Sequence, residues 1–407
     1  MRDVWIRQAN FALMKLRESS IKAILLRIIP PILAKPLRKS IRRARGARYA
    51  RLLDEFHQIL QQHGSSATVI LFPPSLDWQT QLFQRPQHLA LALARQGALV
   101  FYFQPPNVKS VENFQPIEKG LYLCNFPAEA LGGLNKPYLY LLTWNRTYAD
   151  VFQSPRIIYD YVDEIDVFAG HPRKLRREHE ALLQRAELVM ATARRLYEQA
   201  LPLRPDTLLC PNGVDYEIFA HYRQLPFIQP PADLTPILER KKPVIGYYGA
   251  LATWFDYSLL RKVAAHRSDL TFVLVGPDYD GTLPPDLLNL PNVEWLGVKP
   301  YEQIPIYLHF FDVATIPFKV NDVTHAVSPL KLFEYMAGGK PVVVTPMRES
   351  AGYPGVLIAS SPEEFSAQLD KALELREDQA YLSTIDTVAR ENTWAVRAQQ
   401  ILKALRS

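Results

Sequence analysis

The sequence predicts an α/β protein of two doubly wound domains that face a cleft, with a basic helical extension in front of them. Strand-like and helical segments alternate from Ser65 onward, as they do in parallel sheets covered by helices. A stretch rich in proline and charge interrupts the alternation at residues 224–242, as a linker does, and the pattern then starts again. Because such sheets bind ligands outside the carboxyl ends of their strands, the cleft is the expected site.

The extension is predicted to cover residues 1–62, and it holds the basic character of the chain. It has 14 Lys and Arg residues against 4 Asp and Glu residues, whereas the rest has 33 against 37. Trp5, Ile6, Phe11 and Leu13 interleave with Arg and Lys, as in amphipathic helices that lie on an anionic membrane surface. The alternatives are a solvated basic arm and a helix packed on the body or a partner. Nucleic acid is not an expected partner, because the body is acidic and has no recognition motif.

The first domain is predicted at residues 63–223, with strands indicated by short apolar runs and helices by helical periodicity. The predicted strands lie at 67–74, 98–104, 120–126, 137–144, 156–162, 187–193 and 207–213, and the helices at 85–97, at 172–186 and from Arg194. The two cysteines of the chain have neither disulfide nor zinc spacing, which suits a reducing cytoplasm. The protein is expected there, with attachment to the inner face of the membrane as an option for the extension.

The second domain is predicted at residues 243–390, followed by a closing helix at 391–407. Its predicted strands lie at 243–251, 270–277, 292–297, 312–318, 341–344 and 355–359, and its helices at about 257–266, near 301–310 and from 328. Neither domain contains a GxGxxG or GxxxxGK[ST] loop. This absence argues against a dinucleotide-dependent dehydrogenase and against a P-loop nucleotidase.

The stretch SPLKLFEYMAGGKPVVVTP (328–346) predicts a ligand site at the start of a helix. Ser328 suits the N-cap and Pro329 the first helical position, where a missing N–H costs nothing. The free N–H groups of Leu330 and Lys331, together with the Lys331 charge, would bind an anion. Glu334, about one turn deeper, would accept hydrogen bonds from a vicinal diol. Phosphate beside a diol indicates a nucleotide ribose diphosphate, and the alternative is an ordinary ion pair between Lys331 and Glu334.

Polar residues that follow strands of the first domain are the candidates for the other wall of the cleft. Asp77, Trp78 and Gln84 lie between the first strand and its helix and are predicted to hold the acceptor. Arg85 is predicted to grip a phosphate bidentately and is counted with the catalytic residues. Asp163 follows a strand-like run, so it is the predicted base or positioning group for an acceptor hydroxyl.

Six stretches of the sequence are similar to the GT-B glycosyltransferases, in particular glycosyltransferase family 4 and its bacterial cell-surface polysaccharide members. They are DWQTQLFQRPQHLA (77–90), IIYDYVDE (157–164), AELVMATARRL (186–196), PNGVDYEIF (211–219), VIGYYGAL (244–251) and the stretch 328–346. The resemblance extends from about residue 68 to the end of the chain. It implies two Rossmann-like domains, of which the C-terminal one binds a sugar nucleotide.

The resemblance also implies roles for single residues. In the family the helix start faces the diphosphate, and the Glu that corresponds to Glu334 holds the ribose. A histidine that reaches the donor phosphate in relatives corresponds to His171. The family often has a second Glu near the donor sugar, where this chain has Ala326, so His325 or Asn321 is expected to substitute for it.

The family further tends to place Arg and Lys after the Gly-rich turn that opens the second domain, here at Gly249. This chain has Trp254 and Asp256 there instead. The charge that binds phosphate would then come from the helix start, Lys331 and Lys319. The expected donor-binding set is therefore Gly249, Lys319, Asn321, His325, Ser328, Pro329, Leu330, Lys331 and Glu334.

The implied activity is transfer of a sugar from a nucleotide diphosphate sugar to a hydroxyl of a glycan or lipid-linked acceptor, with retention of configuration. Synthesis of a cell-surface polysaccharide or glycoconjugate is the implied setting. No cofactor and no metal are expected, and DYD (278–280) is interpreted as a surface turn. The alternatives are a GT-B sugar-nucleotide epimerase and a non-catalytic membrane-associated binding protein.

Overall fold

Two sheets organise the chain in the computed structural model, which describes residues 49–64, 67–80, 82–105, 112–165, 172–225 and 227–406. The strands of the first sheet are β1 (Val69–Phe72), β2 (Leu99–Phe103), β3 (Phe114–Glu118), β4 (Leu121–Cys124), β5 (Tyr138–Leu141), β6 (Arg156–Tyr161), β7 (Leu188–Ala191) and β8 (Leu208–Leu209). Those of the second sheet are β9 (Val244–Tyr248), β10 (Thr271–Val275), β11 (Val293–Trp295), β12 (Val313–Ile316), β13 (Val342–Val344) and β14 (Val356–Ile358). The predicted two-domain α/β fold is confirmed.

The strand order of each sheet is that of a doubly wound domain. The first sheet runs β3-β4-β2-β1-β5-β6-β7-β8 and the second β11-β10-β9-β12-β13-β14. All pairs are parallel except β3 with β4. The sequence did not predict β3, because Pro116 and Glu118 interrupt its apolar pattern; proline is tolerated there since the strand lies at the edge of the sheet. The order reverses between β1 and β5 and between β9 and β12, where such folds bind ligands.

Helices cover both faces of the sheets and bury their apolar sides against them. Residues 49–63 form a helix, α1. The others are α2 (Arg85–Arg95), α3 (Pro172–Arg185), α4 (Arg194–Ala200), α5 (Tyr216–Gln224), α6 (Thr235–Leu238), α7 (Tyr257–His266), α8 (Pro285–Leu288), α9 (Ile304–His309), α10 (Asp322–His325), α11 (Leu330–Ala337), α12 (Arg348–Ala351), α13 (Pro362–Leu375), α14 (Gln379–Glu391) and α15 (Trp394–Ala404). Short 3-10 helices lie at Ala128–Leu131, Thr143–Asp150 and Tyr301–Gln303.

Helix α1 belongs to the first domain and not to a separate extension. Leu52, Phe56 and Ile59 are buried in the core of that domain, and the Phe56 ring centroid lies 4.7 Å from that of Phe101 on β2. The predicted boundary at residue 62 is therefore too late, because this part of the chain has an apolar face that the sheet covers. The predicted membrane-binding segment as far as residue 48 lies outside the described residues. Within the described part of the chain, no helix combines the length and the apolar character needed to cross a bilayer.

The C-terminal helix α15 crosses back and packs on α2 of the first domain. Its Trp394 ring stacks on His88 with a centroid distance of 4.9 Å and an angle of 9°. The backbone at Gly213, in the segment after β8, packs directly against the backbone at Thr393, just before α15. A Cβ on Gly213 would lie 2.8 Å from the Thr393 carbonyl carbon. Close backbone approach therefore explains the glycine. The crossing thus ties the end of the chain to the first domain.

Candidate functional site

Helix α11 starts at Leu330, with Pro329 at the N-cap. The predicted capping role of Ser328 is wrong, because its side chain points to another segment. The Ser328 Oγ accepts the N–H of Asn212 at 3.2 Å, and the Ser328 carbonyl accepts from Asn212 Nδ2 at 2.7 Å. Ser328 and Pro329 are buried, whereas Leu330 and Lys331 are half-buried. The first turn of the helix is therefore partly accessible. The Leu332 amide donates to the Pro329 carbonyl at 3.2 Å, whereas the amides of Leu330 and Lys331 come too early in the helix to have an acceptor in a preceding turn.

Lys331 extends from this turn over the glycine that follows β9. Gly249 has φ +132°, and a Cβ built on it would lie 2.8 Å from Cε and 3.2 Å from Nζ of Lys331. The Nζ atom also lies 5.4 Å from the ring centroid of Tyr247 and 5.1 Å from that of Phe318. Burial lowers the pKa of Lys331 to about 8, although the charge of Glu334 opposes the shift. A cation, a helix start and a glycine turn thus meet where the strand order reverses.

Glu334 lies one turn into the same helix, and its carboxylate is held by two tyrosines. The hydroxyl of Tyr248 donates to one oxygen at 2.8 Å and that of Tyr301 to the other at 2.9 Å. The residue is only 1% exposed. Burial raises the pKa of Glu334 to about 7, against the opposing effect of these hydrogen bonds and of the Lys331 charge. The carboxylate oxygens therefore accept hydrogen bonds from two tyrosines, whereas the alternative interpretation of the sequence expected an ion pair with Lys331.

Tyr301 connects this carboxylate to the first domain. Its ring stacks on Phe83 with a centroid distance of 5.7 Å and an angle of 24°. It also packs against the His88 ring in a T-shaped arrangement, with a centroid distance of 5.4 Å. Neither tyrosine was predicted from the sequence. Tyr248 lies inside the stretch VIGYYGAL, which could have indicated it, whereas Tyr301 starts a 3-10 helix with no local signal. Glu334 is thus covered by a side chain that touches both domains.

Arg85 does not offer its guanidinium to a ligand, contrary to the prediction. Its Nε and Nη2 atoms donate to the two oxygens of Asp160 at 2.7 and 3.1 Å, and the side chain is 6% exposed. Its Nη1 atom donates to the Asn212 Oδ1 at 3.2 Å and to a backbone carbonyl. Burial alone would lower the pKa of Arg85, but the Asp160 carboxylate raises it above its usual range. The bidentate geometry was expected, but a buried aspartate takes the place of the phosphate.

Asp163 lies just beyond β6 and is half-buried. Burial, and secondarily the charge of Asp160, raises the pKa of Asp163 to about 6. The next residue, Glu164, pairs with Arg195 at 2.6 Å, and Arg195 also reaches Asp322 of the second domain at 2.9 Å. Asp163 is therefore next in sequence to a residue of this interdomain contact, and its role towards the acceptor stays a prediction. His171, the other predicted catalytic residue, lies outside the described residues.

The predicted acceptor residues use their polar groups or rings within the first domain. The carboxylate of Asp77 accepts the amide two residues further on, at 3.0 Å. The ring of Trp78 packs against Tyr102 with a centroid distance of 5.1 Å. Gln84 is an exposed residue at the start of α2. Of the three, Gln84 has the most exposed side chain. The acceptor role of this loop stays a prediction.

His325 and Asn321, expected to replace the missing family Glu, lie around the short helix α10, as does Lys319, expected to supply charge for phosphate. Lys319 and Asn321 are exposed, and the Asn321 side chain caps α10. The Nδ1 atom of His325 accepts the N–H of Arg348 at 3.2 Å. Ala326 is 2% exposed and is buried in the core cluster of the first domain. A carboxylate at position 326 would therefore be buried against apolar side chains.

Acidic residues do not gather into an evident metal site in the described part of the chain, where no cluster of three or more His, Cys, Asp or Glu residues has that arrangement. The DYD stretch forms a turn. The Asp280 carboxylate accepts the N–H of Thr253 at 2.9 Å, and that of Asp278 accepts the N–H of Leu283 at 3.2 Å. Asp278 thus holds its own loop, and Asp280 joins that loop to the segment that follows β9.

Comparison with known proteins agrees with this architecture. Residues 242–375 match the family model described as glycosyl transferases group 1. The chain is 34% identical over 199 residues to TuaH of Bacillus subtilis (strain 168), a protein named as a putative teichuronic acid biosynthesis glycosyltransferase. That match covers 47% of this chain and 49% of TuaH, so the chain spans about half the length of the curated relative.

Solved structures match over most of the chain. Sucrose-phosphate synthase from Thermosynechococcus elongatus has a TM-score of 0.59 at 16% identity, covering 83% of this chain and 98% of that one. HepE from Anabaena, in complex with UDP and glucose, has a TM-score of 0.59 at 18% identity, covering 83% and 99%. The trehalose 6-phosphate synthase of Burkholderia multivorans has a TM-score of 0.61 at 11% identity, covering 84% and 98%.

The resemblance to GT-B glycosyltransferases is confirmed. The region that matches the family model contains Gly249, Lys331 and Glu334, so the cluster found in the structure lies within the matched range. Asp163 and Arg85 lie outside the matched range.

Proposed function

We propose that the protein is a glycosyltransferase that takes a sugar from a nucleotide diphosphate sugar and adds it to a hydroxyl of a glycan or lipid-linked acceptor. The observation that carries the proposal is the position of Lys331 at the start of α11, directly over Gly249. A positive side chain, free helix amides and a turn without a Cβ together suit a diphosphate. The names of relatives support it, since TuaH is named for teichuronic acid biosynthesis and HepE was solved with UDP and glucose.

The donor half of the reaction needs stabilisation of a departing phosphate. When the bond between sugar and diphosphate breaks, negative charge grows on the β-phosphate. The helix start and the Lys331 ammonium would stabilise that charge without reorganising, because α11 is held in a packed domain core. The half-buried position of Lys331 strengthens the interaction relative to one in water. Retention of configuration at the sugar is part of the proposal and follows from the family resemblance.

The acceptor half needs a group that orients the hydroxyl and receives its proton. Asp163 suits this role, because a carboxyl whose pKa is about 6 is ionised near neutral pH and still takes up a proton readily. It lies beyond the end of β6, on the side of the first domain that contacts α10 through Arg195. The hydroxyl would therefore approach from the first domain.

Glu334 would hold the ribose of the donor. A carboxylate has about four lone-pair positions, of which Tyr248 and Tyr301 occupy two. A ribose diol could use the remaining positions, or one of its hydroxyls could replace that of Tyr301. Because Tyr301 also stacks on Phe83, its displacement would change the contact between the domains when the donor binds.

Nucleotide binding tests the proposal directly. Calorimetric titration with UDP, GDP and ADP should show micromolar to millimolar binding of at least one. Gly249→Ala should abolish it, because the new Cβ would overlap Lys331 at a backbone angle that favours glycine. Gly97→Ala is the matched control, since Gly97 has φ +90° but a Cβ added there would meet no atom within 4 Å. Equal binding by wild type and Gly249→Ala, or no binding by the wild type, would contradict the proposal.

Incubation with the sugar nucleotide alone separates a transferase from an epimerase. A transferase should leave the configuration of the donor sugar unchanged in the NMR spectrum until an acceptor is added. Epimerised sugar nucleotide without an acceptor would favour the epimerase instead.

A further inference from the structure

A buried group of polar side chains in the first domain holds Asn212. Arg85 and Asp160 form a bidentate pair at 2.7 and 3.1 Å, and the Tyr140 hydroxyl donates to the same carboxylate. Arg85, Asp160 and Tyr140 are at most 6% exposed. The remaining Arg85 donor, Nη1, reaches the Asn212 Oδ1 at 3.2 Å. The position of the Asn212 side chain is therefore set by the core of the first domain.

Two further polar atoms of Asn212, the backbone nitrogen and Nδ2, reach the second domain. Its Nδ2 donates to the Ser328 carbonyl at 2.7 Å, and its N–H donates to the Ser328 Oγ at 3.2 Å. Ser328 is buried and stands two residues before Leu330, where α11 starts. Asn212 thus contacts the buried ion pair on one side and the approach to the helix start on the other.

The backbone of Asn212 cannot shift freely to follow a moving partner. Arg397 of α15 donates from Nε to the Pro211 carbonyl at 3.0 Å. On the other side, a Cβ on Gly213 would lie 2.8 Å from the backbone of Thr393, so these two segments touch. The link from the Arg85 pair to Ser328 is therefore rigid at its centre.

We infer that Asn212 is a positioning residue that sets the place of the α11 start, and so of the diphosphate site, relative to the first domain. The inference rests on the proposed function. The field of a helix start falls off within its first turn, and a displacement of about 1 Å at a site of this kind costs much of its effect. In this inference Asn212 acts on the diphosphate site through its contacts with Ser328.

Two variants test the inference with the nucleoside diphosphate that the wild type binds best among UDP, GDP and ADP. Asn212→Ala removes both side-chain contacts without adding charge and should weaken binding about tenfold, as loss of a well-formed hydrogen bond at a preorganised site does. Ser328→Ala removes only the longer contact and should weaken binding about threefold. With a sugar donor and an acceptor, the donor KM should rise in both variants while the acceptor KM stays unchanged.

Asn292→Ala is the matched control. The Asn292 side chain donates to the carbonyls of Ala264, Arg267 and Leu270 at 2.9–3.2 Å in the same domain as α11, with no contact to Ser328. This variant should lower the thermal midpoint and leave the affinity for the nucleoside diphosphate unchanged. Ser328→Ala keeps the test informative if Asn212→Ala does not fold.

The outcomes distinguish this inference from the proposed function. If the wild type binds none of the three diphosphates, the proposed function fails and the inference fails with it. If the wild type binds, but Asn212→Ala and Ser328→Ala bind equally well while their thermal midpoints fall as in Asn292→Ala, Asn212 is a stabilising residue only. Weaker binding by both, with Asn292→Ala unchanged, supports the positioning role.

Discussion

Replacement of Glu334 by Ala should weaken binding of the nucleotide by about 10- to 150-fold. The carboxylate would accept two hydrogen bonds from a ribose diol, and hydrogen bonds to charged groups contribute about 1.5–3 kcal/mol each. Since the Tyr301 hydroxyl already donates at 2.9 Å and would give way to one diol hydroxyl, the net gain is about one such bond. That gain corresponds to about 10- to 150-fold in affinity, with every 1.4 kcal/mol giving a factor of ten.

The assay is calorimetric titration with the nucleoside diphosphate, compared with thermal unfolding of each variant. Glu334→Ala also leaves the hydroxyls of Tyr248 and Tyr301 without their acceptor, which costs about 1–3 kcal/mol of stability each. Asn292→Ala, which loses buried hydrogen bonds elsewhere in the domain, is the control for stability alone. Wild-type affinity in Glu334→Ala would refute the assignment of the ribose to this carboxylate.

Two further predictions concern pH. Because the pKa of Lys331 is lowered to about 8, its ammonium is charged below that pH and lost above it. Diphosphate affinity should therefore fall between about pH 7 and 9, and Lys331→Met should bind more weakly with no such dependence; a flat wild-type profile would contradict this. Asp163, with its pKa raised to about 6, is protonated at lower pH and then cannot accept a proton. Turnover should fall below about pH 6, and Asp163→Asn should lose about 10²- to 10⁴-fold in kcat at unchanged diphosphate affinity. If Asp163→Asn turned over as fast as the wild type, Asp163 would have no role in the reaction.

Ionisation of Glu334 and Asp163 also affects folding, and the sign follows from their raised pKa values. Each group takes up its proton more readily in the folded state than in the unfolded state, so each contributes stability at low pH. That contribution is lost as the pH rises through about 6 for Asp163 and about 7 for Glu334. A binding site with groups kept partly protonated therefore reduces stability at neutral pH, as functional sites commonly do.

Arg85 shows where sequence reasoning about the site failed. The sequence placed an arginine at the start of a helix beside the cleft, and the expectation of bidentate pairing was sound. Its partner, Asp160, is 75 residues away on β6, and only the packing of α2 against the sheet brings the two together. A phosphate and a buried aspartate satisfy the same guanidinium geometry, so local sequence could not choose between them.

Local sequence alone determined the alternation of strands and helices, the helix at residues 330–337 and the grouping of Lys331 with Glu334 on it. Apolar periodicity, glycine stops and spacing within one helix are short-range properties, so they can be derived without a structure. Only the tertiary structure decided that Tyr248 and Tyr301 hold Glu334, that Ser328 bonds Asn212 and that Ala326 is buried in the opposite domain. These contacts depend on how two sheets and their loops are placed relative to each other. Local sequence patterns do not specify that placement, because the contacting residues are far apart in the chain.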